Sequence, residues 1–303
     1  MSAGLISLVF GTNSASQLAA NTVTSWLRNF PATNASVHVY YRSTLARRLH
    51  RNSLSGGDLL GCGMQLSEHM LTPNRGNEAA VFLAYIVQHY NALPEMVIFI
   101  HDHGARSWHS EPAIFFRRLQ AYLKGIQTPQ NFAHSKQEAG TDDLNSKFAE
   151  QVRTLSSCYH EGPDTRNPFC VKHLPKRQLL DAPGAWRLAY TTFEGILNQS
   201  GASDTNNHGQ FWSCCASFVA RRQHIHLQPL TFYKHALDAI LHVDIPAAVS
   251  GRWWEYNWYR IMRMQDQSIE DLQLYLKIDG QVWPKDSLDR LLNGRPFSEG
   301  FNE

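Results

Sequence analysis

Several ionisable side chains follow an apolar run in the segment MVIFIHDHGARSWHSEP, residues 96–112. Among the polar and aromatic residues that come after the run are His101, Asp102, His103, Trp108 and His109. Such a run is typical of a buried strand, and in open parallel sheets ligands bind beyond the carboxyl ends of the strands. We therefore expect Asp102 to face a crevice, with Trp108 or His109 nearby. The alternative is a turn in which Asp102 only caps the next helix.

A second candidate residue, Glu255, lies in the segment GRWWEYNWYRIM, residues 251–262. Helical spacing places three apolar side chains of the segment on one face, beside the glutamate: Trp254, Trp258 and Ile261. A carboxylate among aromatic groups is either paired with an arginine or has its pKa raised by desolvation. A pair with Arg252 gives Glu255 a structural role. A position in the same crevice as Asp102 and Arg221 gives it a catalytic role.

The elements that position these residues follow from the apolar pattern of the first part of the chain. Residues 5–10, 37–41 and 96–100 are short apolar runs, and we predict that they form adjacent parallel strands of one sheet. Helical spacing follows the first run in ASQLAANTVTSWLRNF and precedes the third in GNEAAVFLAYIVQHYNALP. The last run has no polar alternation, which is typical of a sheet covered by helices on both faces. The pattern predicts an α/β fold with a single, Rossmann-like, mostly parallel sheet.

The remainder of the chain is less regular. The segment from about 127 to 182 has no clear period and predicts an irregular insertion with one short helix around LNSKFAEQVRTL. Further helices are predicted at 111–126, at 185–197 and from about Pro229. A strand is predicted through 217–219. No stretch resembles a hinge or linker, so residues 1–303 are interpreted as one domain.

Composition excludes several classes of protein. A formal net charge of +2 over 303 residues gives little electrostatic attraction for nucleic acid. No window contains the roughly 18 consecutive apolar residues of a membrane span, and the first residues lack the basic region of a signal peptide. The five cysteines contain no CxxC pair, and their odd number fits poorly with a disulfide framework. We expect a soluble, cytoplasmic protein that binds neither membranes nor nucleic acid.

Four motifs give the chain a resemblance to known proteins: TPNRGNEAAVFLAYIVQHYNALPEMVIFIHDH, SWH, CCASFVARRQHI and GRWWEYNW. Together they resemble a large eukaryotic family that is known only as a domain of unknown function. The first part of the chain also resembles glycosyltransferase-like proteins that use nucleotide sugars and have a single-Rossmann, GT-A-like architecture. The resemblance covers most of residues 5–126 and 210–262. It implies a GT-A-like sheet and a group transfer from a nucleotide-activated donor to an acceptor hydroxyl.

The resemblance also implies the residues of the site. Its substrate-binding positions are Asn13, Asn74, Glu78, His101, Trp108, Phe218, Arg221, Arg222 and Trp258. The chain departs from the family pattern at Asn77, where arginine is expected, and in the first loop, where only Asn13 of a polar pair is kept. The second of these departures lies in the loop that the resemblance places next to the nucleotide.

The implied chemistry is a sugar transfer assisted by a divalent ion. The resemblance places Asp102 and His103 at a strand end where such enzymes hold Mn²⁺ or Mg²⁺ on the nucleotide diphosphate, and Mn²⁺ tolerates a histidine ligand. An enzyme without a metal is the alternative. Arg221 or Arg222 would stabilise the diphosphate as a bidentate donor. Glu255 is the candidate base for the acceptor hydroxyl, and the catalytic set consists of Glu255, Asp102 and His109.

Two other functions stay open at this point. The same fold could serve another group transfer, such as cyclic dipeptide synthesis from aminoacyl-tRNA, but the only paired aspartates, in DDLNS at 142–146, lack the glutamate of those enzymes. The small net charge also gives tRNA little attraction. The chain could instead be a binding protein without catalysis, which the altered first loop favours.

Overall fold

A computed structural model describes most of the predicted elements. The described residues are 6–12, 35–45, 47–48, 64–101, 112–127, 141–155, 159–161, 183–199, 211–213, 217–262, 274 and 277–280. The predicted helix in ASQLAANTVTSWLRNF lies outside them. So do five candidate site residues: Asn13, Asp102, His103, Trp108 and His109.

Strands and helices alternate along the described chain. The strands are β1 (Ile6–Thr12), β2 (Ala35–Tyr41), β3 (Gln65–Met70), β4 (Met96–Ile100), β5 (Arg153–Thr154), β6 (Tyr159–Glu161), β7 (Phe211–Ser213) and β8 (Phe218–Arg221). The helices are α1 (Asn77–His89), α2 (Pro112–Gln127), α3 (Thr141–Ala149), α4 (Pro183–Gln199), α5 (Arg222–Ile225), α6 (Leu230–His242) and α7 (Ala247–Ile261), and a 3₁₀ turn, Tyr90–Ala92, follows α1.

The main sheet contains six strands in the order β3-β2-β1-β4-β8-β5. Strand β1 pairs in parallel with β2 on one side and with β4 on the other. This confirms the prediction that the three apolar runs form adjacent parallel strands of one sheet. Strand β8 is antiparallel to both β4 and β5, so it runs against the other five and the sheet is mixed but mostly parallel. Strands β6 and β7 form a separate antiparallel pair.

Helices cover both faces of the sheet because the strand side chains alternate between two cores. Val9, Val97 and Phe99 lie in one core with the apolar faces of α1, α4, α6 and α7. Leu8 and Ile98 lie in the other core, which α2 completes. Every residue of β4 is buried, as expected for a strand with apolar side chains on both faces. The predicted α/β class, with helices on both faces, is therefore confirmed.

Two parts of the sheet differ from the sequence interpretation. Strand β3 was not predicted, because its sequence QLSEHM is polar and its side chains are only partly buried at the edge of the sheet. The predicted short helix of the insertion is present as α3, but β5 follows it and joins β8 at the opposite edge. Val152 and Leu155, both buried, flank this two-residue strand and fasten it to the core. A strand this short produces no period that the sequence could reveal.

Candidate functional site

The site begins at an unusual turn before α1, in the sequence TPNRGNE. The Thr72–Pro73 peptide bond is cis, and the turn ends with positive φ angles of 72° at Gly76 and 46° at Asn77. A side chain at Gly76 would also collide with Ile240, whose Cδ1 lies 2.3 Å from the position of a Cβ. Asparagine tolerates positive φ better than arginine does, which explains the asparagine at 77. Glu78 follows in the first turn of the helix.

Arg42 fastens this turn to the sheet. It directly follows β2, and its Nη1 donates a hydrogen bond of 2.7 Å to the carbonyl oxygen of Asn77. Its Nη2 donates to the carbonyl oxygens of Pro73, at 3.4 Å, and Arg75. Burial lowers the pKa of Arg42 to about 10, so the guanidinium is still charged at neutral pH. One buried cation thus holds the backbone that positions Glu78.

Helix α7 packs closely against the same turn. A Cβ at Gly251 would lie 2.8 Å from Nδ2 and 2.9 Å from Cβ of Asn77, so only glycine permits this approach. Arg252 and Glu255 follow on the same helix. The close contact at Gly251 therefore brings a second acidic residue towards the beginning of α1.

The imidazole of His101 meets Glu78 at the carboxyl end of β4. Nε2 of His101 lies 3.1 Å from Oε1 of Glu78, and both side chains are only partly exposed, at 14% and 27%. The backbone N–H of His101 donates a hydrogen bond of 3.1 Å to Oγ of Ser217, the residue before β8. Helix α1 and the ends of two neighbouring strands thus fix the pair.

Glu255 interacts electrostatically with Glu78 and His101, and it also forms an ion pair with Arg252. Nη1 of Arg252 donates a hydrogen bond of 2.9 Å to Oε2 of Glu255. Burial raises the pKa of the Glu255 carboxyl, and Arg252 acts in the opposite direction. The negative charge of Glu78 raises that pKa further, while His101 lowers it. Glu78, His101, Arg252 and Glu255 therefore form one electrostatically coupled cluster, to which we refer as the strand-end cluster.

This arrangement is suited to proton transfer. A histidine held by a carboxylate has a fixed orientation and gains stabilisation when it takes up a proton. A carboxyl group with a raised pKa can exchange protons closer to neutral pH than an ordinary glutamate. The cluster lies at the carboxyl end of parallel strands, where ligands bind in open α/β sheets. A hydroxyl group that reached this edge could be deprotonated there.

The structure does not bring Arg221 and Arg222 to this cluster. Strand β8 is antiparallel to β4, and Arg221 pairs with Met96, at the start of β4. His101 is five residues further along, or about 16 Å away at the rise of a strand. Nη2 of Arg222 forms an ion pair of 3.1 Å with Oε2 of Glu95 at that opposite edge. Neither arginine is placed to bind a group held by Glu255.

Phe218 and Trp258, two other sequence-predicted site residues, are part of the core. Both are 4% exposed, and their ring centroids are 5.6 Å apart. They support the strand-end cluster from within the sheet–helix interface. Asn74 lies in the turn before α1, together with the backbone groups that Arg42 binds.

Sequence reasoning missed Arg42 and Ser217. Each adjoins a strand at the edge where β4 ends, and each binds a backbone group of the site. The signal for Arg42 was a charged residue directly after the apolar run of β2, at a sheet edge shared with His101. The signal for Ser217 depends on the antiparallel direction of β8, which the sequence does not reveal.

Comparison with known proteins identifies the family but no activity. The model of a family described as "Protein of unknown function (DUF3431)" matches residues 19–274. The chain belongs to this family. The match confirms the predicted membership in a family of unknown function, and it spans the middle insertion, which the motif resemblance left out. Nothing in DUF3431 connects the chain to glycosyltransferases.

No curated protein and no solved structure matches this DUF3431 chain. Among the described residues, none of the helices has the length and apolar character needed to cross a membrane.

Proposed function

We propose that this protein is a glycosyltransferase-like enzyme that moves a group from a nucleotide-activated donor to an acceptor hydroxyl. The observation that supports this most directly is the contact of Glu78 with His101, with Glu255 in the same cluster, at the carboxyl end of β4. General acid–base groups at this edge of a mostly parallel sheet are suited to the activation of a bound hydroxyl.

His101 is the proton acceptor in this proposal. Because Nε2 faces Glu78, the Nε2–H form of the imidazole has its lone pair on Nδ1. The acceptor O–H gives its proton to Nδ1 while its oxygen bonds to the anomeric carbon. The bond from that carbon to the donor phosphate breaks, and the nucleotide diphosphate leaves with the electron pair. Glu78 orients the imidazole and stabilises the imidazolium that forms.

Glu255 acts beside this pair rather than as the first base. The sequence favoured it as the base, but its carboxylate is held by Arg252 at 2.9 Å. Its charge is close enough to interact with His101, so it also stabilises a protonated imidazole. Asp102 and His103 would hold the predicted Mn²⁺ or Mg²⁺, which would neutralise charge on the leaving diphosphate.

The ion pair between Arg252 and Glu255 favours a second function. An arginine partner for Glu255 within its own helix is the arrangement expected of a structural pair. In that case the strand-end cluster holds α7 against α1, and the protein binds its ligand without catalysis. The variant Glu255→Gln distinguishes the two functions. An enzyme loses turnover in this variant without losing stability, whereas a structural pair in a binding protein contributes only to stability.

The test starts from ligand binding and continues to turnover. Purified protein is screened by thermal unfolding against nucleotide sugars, each with and without Mn²⁺, because a ligand that binds the native state raises the melting temperature. A donor that shifts it is then assayed for release of the nucleotide diphosphate with candidate acceptors. We expect His101→Asn to lower kcat by about 10²- to 10⁴-fold.

The matched control is His235→Asn, at an exposed position of α6. It should leave both kcat and the melting temperature unchanged. If a donor binds but His101→Asn turns over as fast as the wild type, the proposed base is wrong. If no nucleotide sugar stabilises the protein, the proposed donor class is wrong.

A further inference from the structure

Three histidines from separate elements converge on the face of the sheet that α1 covers, away from the strand-end cluster. His38 lies in β2, His69 in the edge strand β3, and His89 is the last residue of α1. One ring nitrogen from each lies within 4.8 Å of the other two. His38 is buried, and the other two are partly exposed. We refer to these residues as the histidine triad.

The spacing of the nitrogens agrees with a metal site. Nδ1 of His38 lies 3.3 Å from Nε2 of His69. Two imidazole nitrogens that bind one tetrahedral Zn²⁺ at about 2.0–2.1 Å are separated by about 3.3 Å. His89 faces both of the other rings, with centroids 4.9 Å from His38 and 6.3 Å from His69. One ligand nitrogen of His89 also lies within 4.8 Å of those of His38 and His69, so the three can share one centre.

The second ring nitrogen of His38 has the partner that a metal-ligating histidine needs. Nε2 of His38 lies 3.3 Å from Oγ of Ser36, which fixes the ring with Nδ1 towards the other histidines. Oγ of Ser36 in turn lies 2.6 Å from Oγ of Ser7 and donates to the carbonyl oxygen of Ile6 at 3.4 Å. Such hydrogen bonds behind a ligand set its tautomer and its direction.

His89 contributes an unsatisfied atom. Its Nε2 is buried and has no hydrogen-bond partner among the described residues. A buried nitrogen without a partner destabilises the folded state, and coordination of a metal ion would offset that cost. Burial also lowers the pKa of all three imidazoles, that of His38 to about 3. They are therefore neutral at pH 7, which is the form that binds metals.

We propose that His38, His69 and His89 bind one divalent transition metal ion, with Zn²⁺ as the first candidate. Three imidazoles suit Zn²⁺ rather than Mg²⁺ or Ca²⁺, which prefer oxygen ligands. A tetrahedral Zn²⁺ ion held by three imidazoles keeps a fourth position, which water can occupy.

This site is separate from the proposed catalytic one. Glu78 and His89 are at opposite ends of α1, eleven residues or about 16 Å apart at the rise of a helix. The ion ties the edge strand β3 to β2 and to the end of α1. Tyr40 stacks on His69 with ring centroids 4.5 Å apart, so the ligand of the edge strand already has a fixed position. Metal binding by the histidine triad does not depend on a transferase activity.

Co²⁺ provides the test, because a tetrahedral Co²⁺ site has intense visible absorption that octahedral Co²⁺ in water lacks. The full chain is treated with a chelator, freed of it, and titrated with Co²⁺ and then with Zn²⁺. We expect one equivalent of Co²⁺ to bind with tetrahedral bands, Zn²⁺ to displace it, and Zn²⁺ to raise the melting temperature. His69→Gln and His89→Gln should each weaken Co²⁺ binding by about 10-fold or more and remove the bands.

The control variant is His235→Gln, which replaces an exposed histidine of α6 and should bind Co²⁺ as the wild type does. Because His69 and His89 are partly exposed, their replacements should fold, and circular dichroism of the metal-free proteins checks this. A wild type without tetrahedral Co²⁺ bands overturns the proposal. It is equally overturned if the bands persist in folded His69→Gln and His89→Gln. In the first case the triad is a hydrogen-bonded packing cluster, and in the second the metal binds elsewhere.

Discussion

Oε1 of Glu78 and Nε2 of His101 lie 3.1 Å apart, although one residue lies in the first turn of a helix and the other directly follows a strand. The connection from α1 into β4 reverses the chain direction, so the beginning of the helix and the end of the strand are at the same edge of the sheet. The amino end of α1 favours a negative charge at Glu78. The pair therefore has a carboxylate ready to stabilise a protonated imidazole.

The first prediction concerns Glu78→Gln. The amide keeps the shape of the side chain but removes the charge that stabilises protonated His101. We expect kcat to fall by about 10- to 100-fold with little change in KM, because the interaction strengthens only as the proton is transferred. Steady-state kinetics with the donor found in the thermal screen measures this.

Glu95→Gln is the matched control, since Glu95 pairs with Arg222 at the opposite edge of the sheet. It should leave kcat unchanged, because this pair is remote from His101. Equal losses in the two variants would assign the Glu78 effect to general destabilisation rather than to proton transfer.

The second prediction concerns the pH dependence of stability and Glu255→Gln. Burial raises the pKa of Glu255 above its ordinary value of 4.5, so the folded state binds this proton more tightly than the unfolded state does. The free energy of unfolding therefore decreases, on account of this group, as the pH rises from below 4.5 through the raised pKa. The glutamine variant lacks this contribution, and Arg252 can still donate a hydrogen bond to its amide oxygen.

Urea unfolding of both proteins between pH 4 and pH 8 measures the difference. We expect the stability of Glu255→Gln, relative to the wild type, to rise with pH and then level off above the raised pKa. A difference that is independent of pH would mean that Glu255 has an ordinary pKa. A variant with normal stability but reduced kcat would assign Glu255 to the chemistry.

The sequence was sufficient for the centre of the fold but not for its edges. The runs that became β1, β2 and β4 are apolar and buried, so their pattern was readable. Strand β3 is polar because it lies at an edge, and β5 has only two residues. Such strands are determined by the neighbours to which they bond, and no local period marks them.

The sequence indicated candidate residues that directly follow an apolar run. It did not indicate those whose position depends on the direction of a strand. His101 directly follows β4, and the sequence singled it out for that reason. Arg221 and Arg222 resembled partners of the same site, but the antiparallel direction of β8 places them at the other edge. The histidine triad combines residues 38, 69 and 89, whose meeting depends on the pairing of β2 with β3.

The third prediction tests the close packing of α7 with the turn before α1. A Cβ at Gly251 would lie 2.9 Å from Cβ of Asn77, so Gly251→Ala must displace the helix or the turn. Overpacking of this kind costs about 1–3 kcal/mol. Because the displacement also moves Glu255 relative to Glu78, we expect a lower kcat in the fraction of protein that stays folded.

Gly195→Ala is the control for this change, because Gly195 is also a helical glycine but a Cβ there would meet nothing within 4 Å. It should stabilise the protein by about 0.5–1 kcal/mol, since alanine is the better helix former. Chemical denaturation measures both variants. A neutral or stabilising Gly251→Ala would mean that α7 and the turn do not pack as described.

The fourth prediction concerns Arg42→Lys, which keeps the charge but not the geometry. Arg42 donates to the carbonyl oxygens of Asn77, Pro73 and Arg75 at once. A lysine has one ammonium group and cannot span all three, so at least one of these part-buried bonds is lost, at a cost of about 1–3 kcal/mol. The freed turn no longer fixes Glu78 beside His101, so kcat should fall as well.

Arg48→Lys is the matched control, because Arg48 is exposed, and it should change neither stability nor kcat. Urea unfolding and steady-state kinetics separate the two effects of Arg42→Lys. If the turn only contributes stability, the variant loses melting temperature while its folded fraction keeps full kcat. If the turn positions Glu78, kcat of Arg42→Lys falls below the value that the folded fraction explains. Adding Glu78→Gln to Arg42→Lys then lowers kcat by a smaller factor than Glu78→Gln does in the wild type. Additive effects of the two substitutions would show that Arg42 does not act through Glu78.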